Sequence, residues 1–150
     1  MRPLIHKAAM AATMAALTMA GALAHAAAVL PPVHKSGAVE YLSGGIGKDE
    51  SSAIERASKQ WPLTLEFAVK DKQRADFAAD VKVLVRDDKG HAALDVVSDG
   101  PLLLAKLAPG HYGVYATFAG KTLHRNVVVK SRQPVKAVFD WPAGSGESRS

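Results

Sequence analysis

The stretch that decides the fold lies in the C-terminal half of the chain and reads Leu107-Ala108-Pro109-Gly110-His111-Tyr112-Gly113-Val114-Tyr115-Ala116. Proline sets the φ that the first central residue of a turn needs, and glycine accepts the positive φ of the second, so Pro109-Gly110 predicts a type II turn. Beyond the turn, the side chains of an extended chain alternate between two faces. The face predicted to be buried carries Tyr112, Val114, Ala116 and Phe118, and the outward face carries His111, Gly113, Tyr115 and Thr117. The pattern therefore predicts a β-sandwich hairpin, entered by a strand over Pro101–Leu107.

The segments around this hairpin also alternate apolar and polar residues with the period of two that indicates half-buried strands. Seven strands are predicted, at 63–69, 81–86, 92–97, 102–107, 112–118, 122–129 and 135–141, and a short edge strand starts near Val39. Turn signals recur about every 8–12 residues, as in immunoglobulin-like sandwiches. The prediction is an all-β, seven-stranded sandwich with one short N-terminal helix.

That helix is predicted over residues 49–60, directly after the glycine-rich segment Ser43-Gly44-Gly45-Ile46-Gly47-Lys48. Asp49 is a suitable N-cap, and Ser52 with Glu55 offers an alternative capping box. The glycines lack the Gly-x-x-x-x-Gly-Lys-Ser/Thr spacing of a phosphate-binding loop. They are therefore interpreted as a turn into the helix, and any further role of this loop stays open.

The first 26 residues have the composition of an export signal peptide. Arg2 and Lys7 give a positively charged start, an uncharged run rich in Ala, Met and Leu follows, and Ala24-His25-Ala26 fits the small-x-small cleavage pattern. The apolar run is shorter and less apolar than the roughly 20 residues that a transmembrane helix requires. Cleavage near Ala26 predicts a periplasmic or secreted protein whose mature chain has no membrane span.

The mature chain is predicted to contain an extended leader over 27–38, one β-sandwich domain over 39–142 and a disordered tail over 143–150. The sequence has no cysteine, which excludes a lipid anchor on an N-terminal cysteine and excludes disulfides. Without residues 1–26 the chain has 17 basic and 14 acidic residues, a net charge of +3. It lacks the basic stripe interleaved with aromatic residues that nucleic-acid binding requires, so nucleic acid is not predicted as a partner.

Three successive motifs resemble the transthyretin-like, carboxypeptidase regulatory-like module, whose pattern is D-x-x-G, then D-G, then L-x-P-G-x-Y-x-V-x-A. Here they are Asp88-Lys89-Gly90 in the turn that begins at Asp87, then Asp99-Gly100, then the stretch quoted above. The resemblance covers roughly residues 81–129, and the segment from Ser43 to Glu50 is similar to the opening of small exported proteobacterial proteins that carry the module. It implies a transthyretin-like sandwich. The hallmark residues of the module are turn and core residues, so the resemblance implies no catalytic site.

No pattern in the sequence indicates an enzyme. Hydroxyisourate hydrolase, an enzyme of similar fold, ends in Tyr-Arg-Gly-Ser, whereas this chain ends in Gly-Glu-Ser-Arg-Ser. A Gly-x-Ser-x-Gly nucleophile elbow is missing, and the histidines form no His-x-His or His-x₃-His ligand pair. We therefore predict no catalytic activity, no cofactor and no physiological metal, although His111 and His124 face outward on neighbouring strands and could share an adventitious ion.

Two functional classes stay open. The first is a binding or interaction protein of the bacterial envelope, with His111, Tyr115 and His124 as its possible binding surface and a protein or a glycan as its partner. Trp61 and Trp141 could also serve a glycan, but both are predicted to lie in the core. The second class is a structural or stress component without a small ligand, whose edge strands assemble with a larger envelope structure. Two parallel aromatic rings in a concave patch would favour a glycan, and an unpaired apolar strand edge would favour a protein.

Overall fold

The computed structural model describes residues 29–70 and 75–146, so the predicted signal peptide and the last four residues of the predicted tail lie outside the described part. This part of the chain forms two β-sheets packed face to face, with a helix on one outer surface. Its elements in chain order are β1 (His34–Ser36), β2 (Val39–Gly44), α1 (Lys48–Ala57), a 3₁₀ turn (Ser58–Gln60), β3 (Leu63–Lys70), β4 (Ala75–Phe77), β5 (Val81–Asp87), β6 (Ala92–Ser98), β7 (Leu102–Ala105), β8 (Gly110–Phe118), β9 (Lys121–Val129) and β10 (Val135–Trp141).

The two sheets contain six and four strands. The larger has the order β1-β2-β7-β3-β10, and β4 pairs with the C-terminal part of β3, beyond the end of β7. The smaller has the order β6-β5-β8-β9. Neighbouring strands are antiparallel except β3 and β10, which run parallel from the Leu63–Val135 pair to the Val69–Trp141 pair. The chain is therefore a two-sheet sandwich in which sequence neighbours are often not partners.

The predicted all-β sandwich is confirmed, but the predicted count of seven strands is too low. Two strands of three residues form where the pattern predicted none: β1 lies inside the predicted leader, and β4 lies between the strands predicted at 63–69 and 81–86. Each is defined by pairing with a longer neighbour, β2 or β3. Three residues are too few for an alternation to be read, so the sequence pattern missed both.

The core lies between the sheets and is filled at one end by aromatic rings. Leu65 and Phe67 on β3, with Phe139 and Trp141 on β10, are completely buried. The centroids of the Phe67 and Phe139 rings lie 5.8 Å apart, and that of Trp141 lies 6.2 Å from Phe67. The indole N–H of Trp141 donates to the Lys121 carbonyl at 2.9 Å, which ties the cluster to β9 in the other sheet.

On β8 the predicted alternation is confirmed at the centre and weakens at the ends. Val114 and Ala116 are completely buried, whereas Tyr112 and Phe118 are half-buried at the margin of the core. Tyr115 is half-buried on the opposite face. The parity of the strand is therefore the one that the sequence predicts.

Helix α1 covers the outer face of the six-stranded sheet. The apolar cluster beneath it contains Leu42, Ile54, Trp61, Leu102 and Leu104. The helix begins at Lys48 with Gly47 as N-cap and has no side-chain cap, so the prediction of Asp49 or Ser52 in that role is wrong. Gly47 has a φ of 94°, and the helix after it begins one residue before the predicted start at Asp49. The Glu50 carboxylate does not cap the helix but accepts the N–H of Gly45 at 2.7 Å. Neither this helix nor the short turn after it is long and apolar enough to cross a membrane, within the described residues.

The Pro109-Gly110 segment links the two sheets and does not close a hairpin. β7 ends at Ala105 in the six-stranded sheet, and β8 begins at Gly110 in the other. Gly110 has no positive φ and pairs with Val129, so the predicted type II turn is wrong. Stacked sheets lie about 10 Å apart. The residues between Ala105 and Gly110 span this distance from one sheet to the other. The neighbouring β8–β9 connection is the real hairpin, with positive φ of 51° at Ala119 and 77° at Gly120.

The turn between β6 and β7 lies against β2 with no room for a side chain. The Ser43 hydroxyl accepts the N–H of Asp99 at 3.0 Å, and the buried Ser98 hydroxyl donates to the Gly100 carbonyl at 2.8 Å. A Cβ on Gly100 would overlap the backbone carbonyl of Gly44. Gly100 has no positive φ, so the backbone conformation does not require a glycine there. The requirement comes from the close contact with the backbone of Gly44.

Candidate binding surface

The outer face of the four-stranded sheet has no described helix or strand packed on it, in contrast to the face beneath α1. It is formed by alternate residues of β5, β8 and β9, with β6 along one side. We call this surface the open face, and its central residues are Lys82, Leu84, Arg86, His111, Gly113, Tyr115, Thr117, Thr122, His124, Asn126 and Val128. The fold therefore leaves one sheet surface accessible to a partner.

Tyr115 and His124 form a stacked pair at the centre of the open face. They are direct partners in the β8–β9 register. Their ring centroids lie 4.5 Å apart, and the ring planes differ by 15°. Tyr115 is half-buried and His124 is exposed. Cross-strand pairs of this kind contribute roughly 0.2–1 kcal/mol to sheet stability. Because the two rings stack on each other, each also restricts the orientation of the other.

Gly113 makes room for the stacked pair. A Cβ at this position would lie 3.2 Å from Nε2 of His124 and 3.5 Å from Cε2 of Tyr115. Both rings therefore lean over the bare backbone of Gly113, as aromatic side chains do when they cover a glycine in a sheet. The glycine on the outward side of β8 thus shapes the surface although it has no side chain.

The structure places two of the three predicted surface residues, Tyr115 and His124, in direct contact. His111 pairs with Val128, four positions along β8 from the Tyr115–His124 pair. At about 3.3 Å per residue this separates His111 from the Tyr115–His124 pair by about 13 Å along the strands. The register therefore argues against a metal ion shared by the two histidines. In the part of the chain that the structure describes, no group of three or more His, Cys, Asp and Glu is placed to hold a metal.

Two open depressions flank the stacked pair. One, of about 540 Å³, lies over Gly113 and is lined by His111, Tyr115 and His124. The other, of about 520 Å³, lies over Leu84 and Thr117, on the far side of the Tyr115 ring. Both volumes lie in the range of about 300–1,000 Å³ that ligand sites occupy. All three predicted residues therefore line one depression, and Tyr115 lines both.

Sequence reasoning missed the contribution of β5 to this surface. Arg86 lies directly across from Gly113 in the β5–β8 register, and its Nη1 donates to the Gly90 carbonyl at 2.9 Å. Asn126 lies across from Gly113 on the other side, in β9. The alternation places Arg86 on the outward side of its strand, but it does not reveal that β5 is the neighbour of β8.

Two adjacent carboxylates, Asp87 and Asp88, lie in the β5–β6 turn beside the open face. The backbone N–H of His91 and that of Lys89 each donate to Oδ1 of Asp87 at 2.9 Å, and these bonds lower the pKa of Asp87. Burial, followed by the charges of Asp87 and Asp88, raises the pKa of Tyr112. The Tyr112 hydroxyl therefore stays protonated at neutral pH and donates to the Ala108 carbonyl at 2.6 Å.

Both tryptophans lie in the core and not on the open face. Trp141 is completely buried and Trp61 is 8% exposed, as predicted for both. The Trp61 ring lies beneath the ammonium of Lys106, with Nζ 4.8 Å from the ring centroid. Tyr115 is therefore the one predicted glycan-facing aromatic that the structure places on this surface.

The sequence matches no model of a known protein family, and no curated protein is similar to it. The resemblance to the carboxypeptidase regulatory-like module therefore stays a prediction.

Proposed function

We propose that the protein is an exported, non-catalytic binding protein of the bacterial envelope, which holds its partner on the open face. The signal-like residues 1–26 support export to the periplasm or beyond, and the two-sheet sandwich is consistent with the proposed carboxypeptidase regulatory-like identity. The lack of a nucleophile motif supports a binding role over a catalytic one.

The observation that carries the proposal is the stacked Tyr115–His124 pair on an uncovered sheet. Aromatic rings held in one orientation give contact area at little cost in side-chain entropy, and they are enriched where proteins bind. Gly113 lets both rings lie close to the sheet, so the pair is preorganised before a partner arrives.

Within this class, the Tyr115 ring and the polar groups beside it favour a glycan as the partner. The two depressions beside the rings have polar groups within reach, among them the hydroxyls of Thr117 and Thr122, whose oxygens lie 2.7 Å apart. A sugar ring presents apolar C–H groups on its face and hydroxyls at its edge. The Tyr115 ring can contact the C–H groups of the sugar, and the side chains of Thr117, Thr122 and Asn126 can form hydrogen bonds with its hydroxyls.

The alternative, a structural component that assembles through its strand edges, is disfavoured at β9. Arg125 occupies an inward position on this edge strand, and its guanidinium carbon lies 5.8 Å from the centroid of the Phe139 ring. An inward-pointing charge on an edge strand is a common device against the addition of another strand. We therefore place the interaction on the open face and not on this edge.

The test is affinity capture from intact envelope with the purified protein and a Tyr115→Ala variant. Removal of a central aromatic anchor is expected to weaken capture of the partner at least tenfold, since such anchors contribute about 2 kcal/mol or more. The change should cost under about 1 kcal/mol of folding stability, so the variant stays folded.

His34→Ala is the matched control. His34 is exposed and lies directly across from Tyr41 on β1 and β2, with the ring centroids 5.6 Å apart. The His34→Ala substitution therefore breaks a histidine–tyrosine contact on the six-stranded sheet, away from the open face. Equal capture by wild type and Tyr115→Ala, or equal loss in Tyr115→Ala and His34→Ala, would contradict the proposal.

Export has its own test, because binding and localisation can fail separately. Residues 1–28 fused to a reporter that is active only outside the cytoplasm should carry it across the membrane. The exported protein should begin at or near Ala27, which N-terminal sequencing determines. An intact Met1 on the exported material would show that the signal is not cleaved.

A further inference from the structure

We propose a second binding site, for a small anion with an apolar body, at one end of the sandwich. Three connections meet there: the 3₁₀ turn that leads from α1 to β3, the crossover from β7 to β8, and the turn from β9 to β10. They border an open pocket of about 440 Å³, which we call the end pocket. Its residues include Lys59, Trp61, Pro109, Lys130, Arg132 and Pro134. It shares no lining residue with the depressions of the open face.

The end pocket carries three cations and no carboxylate. Lys59, Lys130 and Arg132 line it and are exposed, and no aspartate or glutamate does. Elsewhere in the described chain, Lys106 pairs with Glu40 at 3.3 Å and Lys136 with Glu66 at 3.5 Å. No described carboxylate forms such a pair with the three cations of the end pocket. Their summed positive potential makes the pocket attractive to an anion.

The walls of the end pocket are apolar and rigid. Leu107 and Val129 are almost completely buried and form part of the wall. Pro62, Pro109 and Pro134 also line it, and the ring of each proline fixes the φ of its residue. The backbone around the pocket therefore loses little conformational freedom when a ligand binds. An apolar wall with a cationic rim suits a phosphate or carboxylate group attached to a ring or short chain, and suits a bare inorganic ion less well.

Arg132 lies in this pocket in a backbone conformation that favours glycine. Its φ is 62°, in the left-handed region that residues with a Cβ avoid. The tight turn closed by the Lys130–Gln133 bridge places Arg132 in this conformation, as the β8–β9 turn does Ala119. The positive φ supplies a variant for testing, because Arg132→Gly removes the guanidinium and relieves the strained φ together.

The test is calorimetric titration of the purified protein with phenyl phosphate, benzoate, phenol and inorganic phosphate. Phenyl phosphate or benzoate should bind saturably and more tightly than phenol or inorganic phosphate, and the stronger of the two identifies the anionic group. Arg132→Gly and Lys130→Ala should each weaken this binding about tenfold, as the loss of one charge-assisted hydrogen bond does. Arg132→Gly should unfold at the same temperature as wild type or a higher one, so unfolding cannot explain its loss of affinity.

Lys89→Ala is the control, because it makes the same change in net charge in the turn between β5 and β6, outside the end pocket. Tyr115→Ala should bind phenyl phosphate like wild type, which separates this site from the open face. The proposal is overturned if neither aromatic anion binds saturably. It is also overturned if Arg132→Gly and Lys130→Ala bind like wild type, or if Lys89→Ala loses as much affinity as they do.

Discussion

Replacing Trp141 with alanine is expected to lower the free energy of unfolding by about 3–5 kcal/mol, the cost of truncating a large buried aromatic. Trp141 is completely buried, and its ring contacts Phe67, Phe139 and Phe118. Its removal leaves a cavity between the sheets and leaves the Lys121 carbonyl without its indole donor. Urea unfolding of the variant, followed by intrinsic fluorescence of Trp61 and by circular dichroism, measures the loss.

Trp141→Phe is the milder variant at the same position. It keeps one aromatic ring in the cluster and removes the other ring of the indole together with the N–H that bonds the Lys121 carbonyl, so the expected loss is smaller, about 1–3 kcal/mol. Alanine should therefore be clearly worse than phenylalanine. If the two variants unfold at the same urea concentration, the aromatic cluster does not hold the sheets together as described.

Gly100→Ala should lower the free energy of unfolding by about 1–3 kcal/mol or more, as overpacking of a closely fitted contact does. The added methyl group would overlap the backbone carbonyl of Gly44. Backbone atoms cannot rotate away as a flexible side chain can, so β2 or the β6–β7 turn must move. That movement would also stretch the hydrogen bond between the Asp99 N–H and the Ser43 hydroxyl.

Gly110→Ala is the matched glycine variant for this experiment. Gly110 has no positive φ, and a Cβ there would meet the Tyr112 ring at an ordinary 3.6 Å. Where the backbone suits alanine, the replacement of glycine stabilises by about 0.4–1 kcal/mol. Thermal unfolding should therefore rank Gly110→Ala at or above wild type and Gly100→Ala well below it. If Gly110→Ala were the less stable variant, Gly110 would need a positive φ, and the prediction of a type II turn at Pro109-Gly110 would be correct after all.

The sequence predicts which residues of each strand are buried better than it predicts which strands are neighbours. Alternation places Val114 and Trp141 in the core and Tyr115 outside, because a period of two is a local property of an extended chain. Pairing depends on packing between distant segments. The parallel contact of β10 with β3, and the position of β5 beside β8, have no local signal.

The Pro-Gly stretch shows how local turn chemistry can be overruled. The dipeptide has the residues of a type II turn, yet the chain there must pass from one sheet to the other, and Gly110 joins β8 with no positive φ.

The candidate surface was also predicted only in part. Tyr115 and His124 follow from strand parity, whereas Arg86 enters through the neighbouring strand and the end pocket through three distant connections.

The parallel pairing of β3 with β10 also determines when the domain can be completed. Leu63 pairs with Val135, about seventy residues later in the chain, so this contact closes a very long loop. Contacts of such high sequence separation slow folding. β10 brings Phe139 and Trp141, and it is the last of the described strands to be synthesised. Until it arrives, β3 lacks its neighbour on that side and the core lacks two of its largest rings, so the sandwich cannot be completed from the preceding strands alone.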